Sequence, residues 1–274
     1  MTLSLNGSLL LVGAGKMGGA MLAGWLERGL DPRQIIVQDP GPPPEMADML
    51  ARHNIELRAE AKPLDQPPAV ILVAVKPQVM DQVFPPLAKL AGPETMVLSV
   101  AAGKTTAGFE KHLPAGAAVV RAMPNTPASI GRGITVCYPN ANVTKSQRDT
   151  CQALLSAIGD VGWVDEEHLI DAVTAVSGSG PAYVFLLAEC LAEAGRAVGL
   201  DPELAKRLAN ATVSGSGELL RQSGLEAATL RQNVTSPNGT TAAALAVLMA
   251  NDGLQPLLTK AVQAAEKRSR ELSA

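Results

Sequence analysis

The stretch that decides the fold is residues 8–18, SLLLVGAGKMG. Its first five residues are a short apolar run without helical period, as expected of a strand buried on both faces. Gly13, Ala14, Gly15, Lys16, Met17 and Gly18 then spell G-x-G-x-x-G. Alone that pattern is weak. Here it comes after a strand and opens a predicted helix over 16–28, with Met17, Ala20, Met21, Gly24 and Trp25 along one stripe. The next predicted strand, 34–38 (QIIVQ), runs into an acidic residue, Asp39. Strand, glycine turn, helix, strand and acid together make the dinucleotide-binding fingerprint. Gly13 allows a tight turn, Gly15 leaves room for a pyrophosphate, and Gly18 lets helix and strand pack closely. The helix start offers free N–H groups and a partial positive charge to phosphates. The alternative is a glycine turn with a structural role only.

Working outward, apolar runs at 69–75 (AVILVAV), 95–100 (TMVLSV), 118–123 and 134–138 read as further strands separated by helical stretches. That alternation predicts an α/β domain with a doubly wound parallel sheet, Rossmann-like in type. The Pro-rich stretch 40–44 is a loop inside it. From about residue 165 the pattern turns almost wholly helical, over 171–176, 182–198, 202–222, 241–249 and 254–272. The expected organisation is therefore a dinucleotide-binding domain, 1–164, followed by an all-α domain, 165–274. The helical half is rich in Ala and other small residues, and so apolar a segment is expected to bury surface on a second copy of itself.

Composition narrows the function classes. The 274 residues are 47% hydrophobic and 18% charged, which excludes a disordered chain. A net charge of −3 and 3% aromatics give no hint of nucleic acid as a partner. Cys137, Cys151 and Cys190 are widely spaced and fit neither a disulfide framework nor a metal knuckle, so a reducing cytoplasm is the expected location. The first apolar run lacks a basic lead and is a poor signal peptide. No uninterrupted apolar run approaches the roughly 18 residues of a membrane span, so no membrane partner is expected.

Several motifs carry chemistry. A carboxylate at Asp39 can accept hydrogen bonds from both ribose hydroxyls and would repel a 2′-phosphate, which leans toward NADH. Its alternative is a cap on the Pro-rich turn. Ala74, Val75, Lys76 and Pro77 end one strand, and Val100, Ala101, Ala102 and Gly103 end the next. Strand carboxyl ends line the ligand crevice of such a sheet, and small residues there leave space for a nicotinamide. No acid neighbours Lys76 in sequence to tune it as a base, so a structural or weak electrostatic role is preferred. The loop MPNTP, 123–127, presents the polar groups of Asn125 and Thr126 between prolines. An ordinary turn fits it equally well.

Residues 177–181 (SGSGP) read as a helix start. The polar turn 233–241 (NVTSPNGTT) feeds a helix at Thr241, whose free N–H groups suit a carboxylate, with Ser236 and Thr241 adding hydroxyls. A mere N-cap is the alternative. His53, His112 and His168 form no catalytic or metal-type arrangement, so no general acid is evident and no metal is expected. A dinucleotide site and a carboxylate site without an acid suit hydride transfer to a substrate already activated, such as a protonated imine.

Taken together these motifs resemble the pyrroline-5-carboxylate reductase family along essentially the full chain. The resemblance rests on GAGKMG (13–18), AVKP (74–77), VAAG (100–103), MPNTP (123–127), DAVTAVSGSGPAY (171–183) and NVTSPNGTT (233–241). It implies reduction of pyrroline-5-carboxylate to proline by NADPH or NADH. It also implies a helical domain interleaved with a partner's in a homodimer, and dimers assembled into rings such as a decamer. Family active sites lie between the dinucleotide domain of one chain and the helical domain of the other.

Carried over by position, Gly13 to Gly18 hold the pyrophosphate. Ala74, Val75, Lys76, Pro77, Val100, Ala101 and Ala102 line the nicotinamide side. Asn125 and Asn233 also count with the cofactor. Ser236, Gly239, Thr240 and Thr241 receive the substrate carboxylate, and the Thr241 hydroxyl faces the ring nitrogen as the catalytic candidate. Glu167 matches a family position near the substrate. Two departures, Asp39 where NADPH-using relatives often carry a small hydroxyl residue and Ala61 where an Asn is common, bear on cofactor choice.

Two rival readings compete with this one. A β-hydroxyacid dehydrogenase would need a positioned lysine on the helical side, and no Lys falls within 172–205. A non-catalytic dinucleotide-binding regulator would need no substrate turn, and this chain has one.

Overall fold

A computed structural model describes residues 3–273. The chain divides into two compact units, Met1–Gly178 with Glu266–Ala274, and Ser179–Ala265. The first unit therefore extends past the expected boundary at residue 164. The reason is local: α6 (Leu169–Val173) buries Ile170 and Asp171 within this unit.

The first unit, which also carries α2 (Pro44–His53), α3 (Met80–Ala88), α4 (Thr106–Glu110) and α5 (Lys145–Leu155), is built on an eight-stranded sheet in the order β3-β2-β1-β4-β5-β6-β7-β8. β1 (Leu9–Val12), β2 (Ile35–Gln38), β4 (Val70–Val73) and β5 (Met96–Ser99) lie in its middle, where the sequence places strands. β1 and β4 are wholly buried, so their continuous apolar runs face helices on both sides. β1 lies between β2 and β4, parallel to both, and the strand order reverses there. Ligands of doubly wound sheets bind at such a switch point, outside the strand carboxyl ends.

The sheet is mixed rather than purely parallel. β6 (Ala118–Met123) pairs antiparallel with β7 (Gly133–Pro139), and β8 (Gly159–Trp163) pairs parallel with β7. The connection 124–132 is too short for the dozen or so residues a parallel crossover needs. Two edge strands have little sequence signal. β3 (Glu56–Arg58) is a polar tripeptide, and β8 carries two glycines in GDVGW.

Two cores cover the two faces of the sheet. One gathers Leu9, Leu11, Met21, Trp25, Val37 and Leu154. The other gathers Leu10, Val12, Ile71, Val73, Phe84 and Phe109, with the two Phe rings edge to face at 4.7 Å. α1 (Lys16–Glu27) packs on the first core, and its fully buried Trp25 donates from Nε1 to the Leu154 carbonyl at 2.9 Å.

In the second unit α7 (Gly180–Ala197) and α8 (Pro202–Ser223) pack closely, with Gly195 set against Ala205. α9 (Ala227–Asn233) is an additional short helix, hidden in sequence because it ends in the polar turn. α10 (Thr240–Leu248) comes after that turn, and α11 (Leu254–Ser273) closes the chain. Phe185, Leu186, Leu187, Leu219 and Val247 are exposed on this unit. The helical run Leu169–Ala197 is long and apolar enough on average to cross a bilayer, by length and composition only. The absence of an uninterrupted apolar run does not reveal this, because scattered polar residues leave its mean hydropathy high.

Truncating the largest buried anchor of α1 tests this packing. Trp25→Ala is expected to lower stability by about 3–5 kcal/mol in urea unfolding. A loss under about 1 kcal/mol would show that α1 is held elsewhere.

Candidate active site

The glycine-rich turn is shaped by three different constraints. Gly13 has φ +92°, and a Cβ there would lie 2.8 Å from the Ala74 carbonyl oxygen. A Cβ at Gly18 would collide with the Gly13 carbonyl oxygen. Helix and strand can therefore approach only as glycines. A Cβ at Gly15 would meet no protein atom within 4 Å. Gly15 caps α1 with no side-chain hydrogen bond, which leaves the first N–H groups without a capping side chain. Open space over Gly15 and an uncapped helix start fit a phosphate-bearing cofactor. A cavity of about 480 Å³ opens beside this turn, lined by Ala14, Gly15, Lys16, Pro43, Met46 and Ser129 among others.

The neighbouring loops are tied to the turn by ladder bonds that continue past the strand ends. Gly13 N–H donates to the Gln38 carbonyl, Ala74 N–H to Val12, and Val100 N–H to Val73. Ala74, Val75 and Val100 are half-buried, Ala101 is buried and Ala102 exposed, while Lys76 is exposed. The structure thus brings Gly13 to Gly18, Ala74 to Pro77 and Val100 to Ala102 to the same edge. Asn125 accepts from Ile134 N–H through Oδ1 at 2.9 Å, which fixes its loop from within. Both readings of that loop, rigid presenter and ordinary turn, are compatible with this bond.

Asp39 does cap the Pro-rich turn, since its Oδ1 accepts from Gly41 N–H at 2.9 Å. Its Oδ2 accepts from Ala14 N–H at 2.7 Å. The same carboxylate therefore also holds the glycine turn.

Glu167 has a role that the sequence does not display. Its carboxylate accepts from Thr106 N–H at 2.8 Å, from the Thr106 hydroxyl at 2.9 Å and from Arg121 Nη1 at 3.4 Å. Arg121 is 3% exposed and also lies 3.7 Å from Asp171 Oδ1. Asp171 in turn accepts from the Ser269 hydroxyl at 2.7 Å. This buried cluster fastens the chain after Val100–Ala102 to α6 and to the end of α11. Arg121 is a residue that the sequence motifs miss. Its signal is a lone charge within the apolar strand AVVRAM, since a buried charge must be paired.

In the second unit, Asn233 ends α9, and Gly239 caps α10 at φ −80°, ψ 173° with no side-chain hydrogen bond. The N-cap reading of the turn is met by Gly239, although no side chain supplies the cap. α10 begins at Thr240, one residue before the expected start. Asn238 adopts φ +59°, and a Cβ at Gly239 would collide with Ser236 Oγ. The turn thus packs the Ser236 hydroxyl against the glycine and leaves the N–H groups of Thr240 and Thr241 uncapped by any side chain. This suits an anion.

Other chemistry is sparse. Cys137 and Cys151 are buried, and burial first, then the hydrogen bond with Cys137, pushes the Cys151 thiol up, so it is no nucleophile. Among the described residues, no group of three or more His, Cys, Asp or Glu could hold a metal ion.

Comparison with known proteins agrees with this geometry. Residues 167–272 match the family described as pyrroline-5-carboxylate reductase dimerisation. Residues 8–103 match that described as NADP oxidoreductase, coenzyme F420-dependent. The chain is 42% identical to the pyrroline-5-carboxylate reductase of Pseudomonas aeruginosa, over 96% of this chain and 95% of that one. It is 40% identical to that of Synechocystis, over 96% and 97%. The pyrroline-5-carboxylate reductase structure from Coxiella burnetii superposes with a TM-score of 0.91 at 34% identity, covering 98% of this chain and all of that one. The Plasmodium falciparum pyrroline carboxylate reductase, solved with NADP bound, superposes at 0.80 and 27% identity, covering 98% of this chain and 99% of that one.

The buried cluster makes a direct prediction. Arg121→Met leaves Glu167 and Asp171 unpaired and is expected to cost about 3–5 kcal/mol in equilibrium unfolding. An unchanged midpoint would show that the carboxylates do not depend on Arg121.

Proposed function

The chain belongs to the pyrroline-5-carboxylate reductase family, and on that footing we propose that it reduces the C=N bond of 1-pyrroline-5-carboxylate to give L-proline, the last step of proline biosynthesis. The reductant is NAD(P)H. When bound, its reduced nicotinamide supplies the hydride. The observation that carries this reading is the pair of glycine-capped helix starts, at α1 and α10, each with its first N–H groups uncapped by a side chain. One suits a diphosphate and the other a small carboxylate.

Each group of residues has its own share of the work. Gly13, Ala14, Gly15, Lys16, Met17 and Gly18 cradle the pyrophosphate. Asp39 serves the ribose of the adenosine. Ala74, Val75, Lys76, Pro77, Val100, Ala101 and Ala102 border the nicotinamide, with Asn125 and Asn233 as further contacts. Ser236, Gly239, Thr240 and Thr241 receive the substrate carboxylate, and the Thr241 hydroxyl hydrogen-bonds the ring nitrogen. Glu167, at the family position near the substrate, also holds the 100–106 loop, since its carboxylate accepts from the Thr106 N–H and hydroxyl. The imine enters protonated, so its carbon is already electrophilic and the protein needs no strong acid. Orientation is its main contribution, and well-oriented reactants can gain roughly 7–11 kcal/mol.

The match to the dimerisation family supports a homodimer. Exposed Phe185, Leu186, Leu187 and Val247 give a partner apolar surface to cover, which also accounts for the apolar run of α7 without a membrane. A ring of dimers, decameric at its fullest, and a cytoplasmic location complete the proposal.

The test is a mixture of protein, NAD(P)H and pyrroline-5-carboxylate, monitored by the absorbance of the reduced cofactor. Substrate-dependent oxidation with proline as product is expected, and none would reject the reading. Thr241→Ala is expected to lower kcat by about 10²-fold, because the iminium N–H loses the acceptor that orients it, while leaving cofactor affinity nearly unchanged. Near-normal kcat in that variant would remove Thr241 from the chemistry.

A further inference from the structure

Along α11 the buried residue is a serine, Ser269. A buried hydroxyl on an otherwise open helix calls for a partner. Ser269 donates to Asp171 Oδ1 at 2.7 Å. Ser273, one turn on, donates to the same oxygen at 3.4 Å and accepts from Arg121 Nη2 at 3.5 Å. Electrostatics explains these hydroxyls. One guanidinium, Arg121, reaches two carboxylates, Glu167 through Nη1 and Asp171 through Nη2. It cannot saturate both, so neutral donors must meet the remaining acceptor capacity. Ser269 and Ser273 meet it at Asp171, and Thr106 meets it at Glu167.

This chain of contacts ends on the segment that leaves β5. Val100 N–H is fixed to the Val73 carbonyl. Gly103 has φ +73°, and a Cβ there would stand 3.0 Å from the Leu272 carbonyl oxygen. The last turn of α11 therefore rests on the loop backbone itself. Thr106, where α4 begins, is bound by Glu167 through both its N–H and its hydroxyl. The segment 100–106 is thus held at its start, at Gly103 and at Thr106. The last two supports lead back to α11, one directly at Leu272 and the other through Glu167, Arg121, Asp171 and Ser269. The glycine turn at 13–18 hangs instead from β1 and β2. The phosphate cradle and the border of the nicotinamide are therefore supported from different parts of the fold.

We infer that Ser269 and Arg121 are positioning residues for hydride transfer: acting through the 100–106 loop, they set the height at which the nicotinamide ring lies. The inference rests on the reductase reading and adds to it two residues outside the motifs that carry that reading.

The experiment is single-turnover stopped flow on the full chain. Protein loaded with NADH or NADPH is mixed with saturating pyrroline-5-carboxylate, and the loss of reduced-cofactor absorbance is followed. In Ser269→Ala the rate constant is expected to fall about ten-fold at full amplitude, with cofactor affinity held within about three-fold, because a slight misplacement of the ring costs rate rather than phosphate binding. Ser269→Thr keeps the hydroxyl and is expected to restore most of the rate. Arg121→Lys keeps the charge but loses the fork that reaches both carboxylates, and is expected to lower the rate constant as well. A variant that merely folds less well would lose amplitude and keep its rate constant. An unchanged rate constant in Ser269→Ala would therefore overturn the inference, with or without lost amplitude. Equal losses in Ser269→Ala and Ser269→Thr would overturn it too, and an unchanged rate constant in Arg121→Lys would remove Arg121 from the role. No turnover by the unaltered chain would reject the reductase reading and the inference with it.

Discussion

The rest of the structure depends on one close approach of backbone to backbone. α1 can leave β1 at its observed angle only because Gly18 presents no Cβ to the Gly13 carbonyl, and because Gly13 accepts a positive φ against Ala74. That geometry sets the uncapped start of α1 over the carboxyl ends of β1 and β4, where the strand order reverses. The loops at residues 74–77 and 100–103 then fall beside it, because their strands are hydrogen-bonded in sequence from β1 outward. Little of this needs a special side chain. It needs missing ones.

The same logic recurs at α10. Gly239 packs against Ser236 and supplies no capping side chain, so the first N–H groups of the helix lack a side-chain partner. Phosphate and carboxylate are both rich in acceptors, and both cradles are donors. The end of β2 has the opposite character, with the acceptors of Asp39 and Gln38. Arg121 is the exception to this economy of side chains. It is a buried cation whose role is to hold Glu167 and Asp171, and through them the chain beyond Ala102.

Much of this is legible in the sequence, for identifiable reasons. β1 and β4 are uninterrupted apolar runs, and the glycine turn after β1 dictates where α1 begins. The helices α7, α8, α10 and α11 are legible to within a few residues because Pro202, Gly224 and the SGSGP stretch punctuate this half of the chain. The hidden parts are non-local or weakly apolar. β3 and β8 gain strand form from pairing at sheet edges rather than from composition. The antiparallel turn of β7 depends on the length of a connection, a signal present but outweighed by the run of parallel pairs. Residues 165–178 read as part of the helical half, yet pack with the sheet because Ile170 and Asp171 are buried there. The contacts of Glu167 lie far away in sequence, with Thr106 and Arg121, so no local motif could display them.

In this chemistry a hydride passes directly from the reduced nicotinamide to the carbon of the C=N bond. Cofactor deuterated on the transferred face of C4 puts that step to the proof, with the product examined by mass spectrometry and proton NMR. Proline carrying one deuterium at the former imine carbon is expected. Proline without deuterium, or with deuterium lost to water, would contradict it.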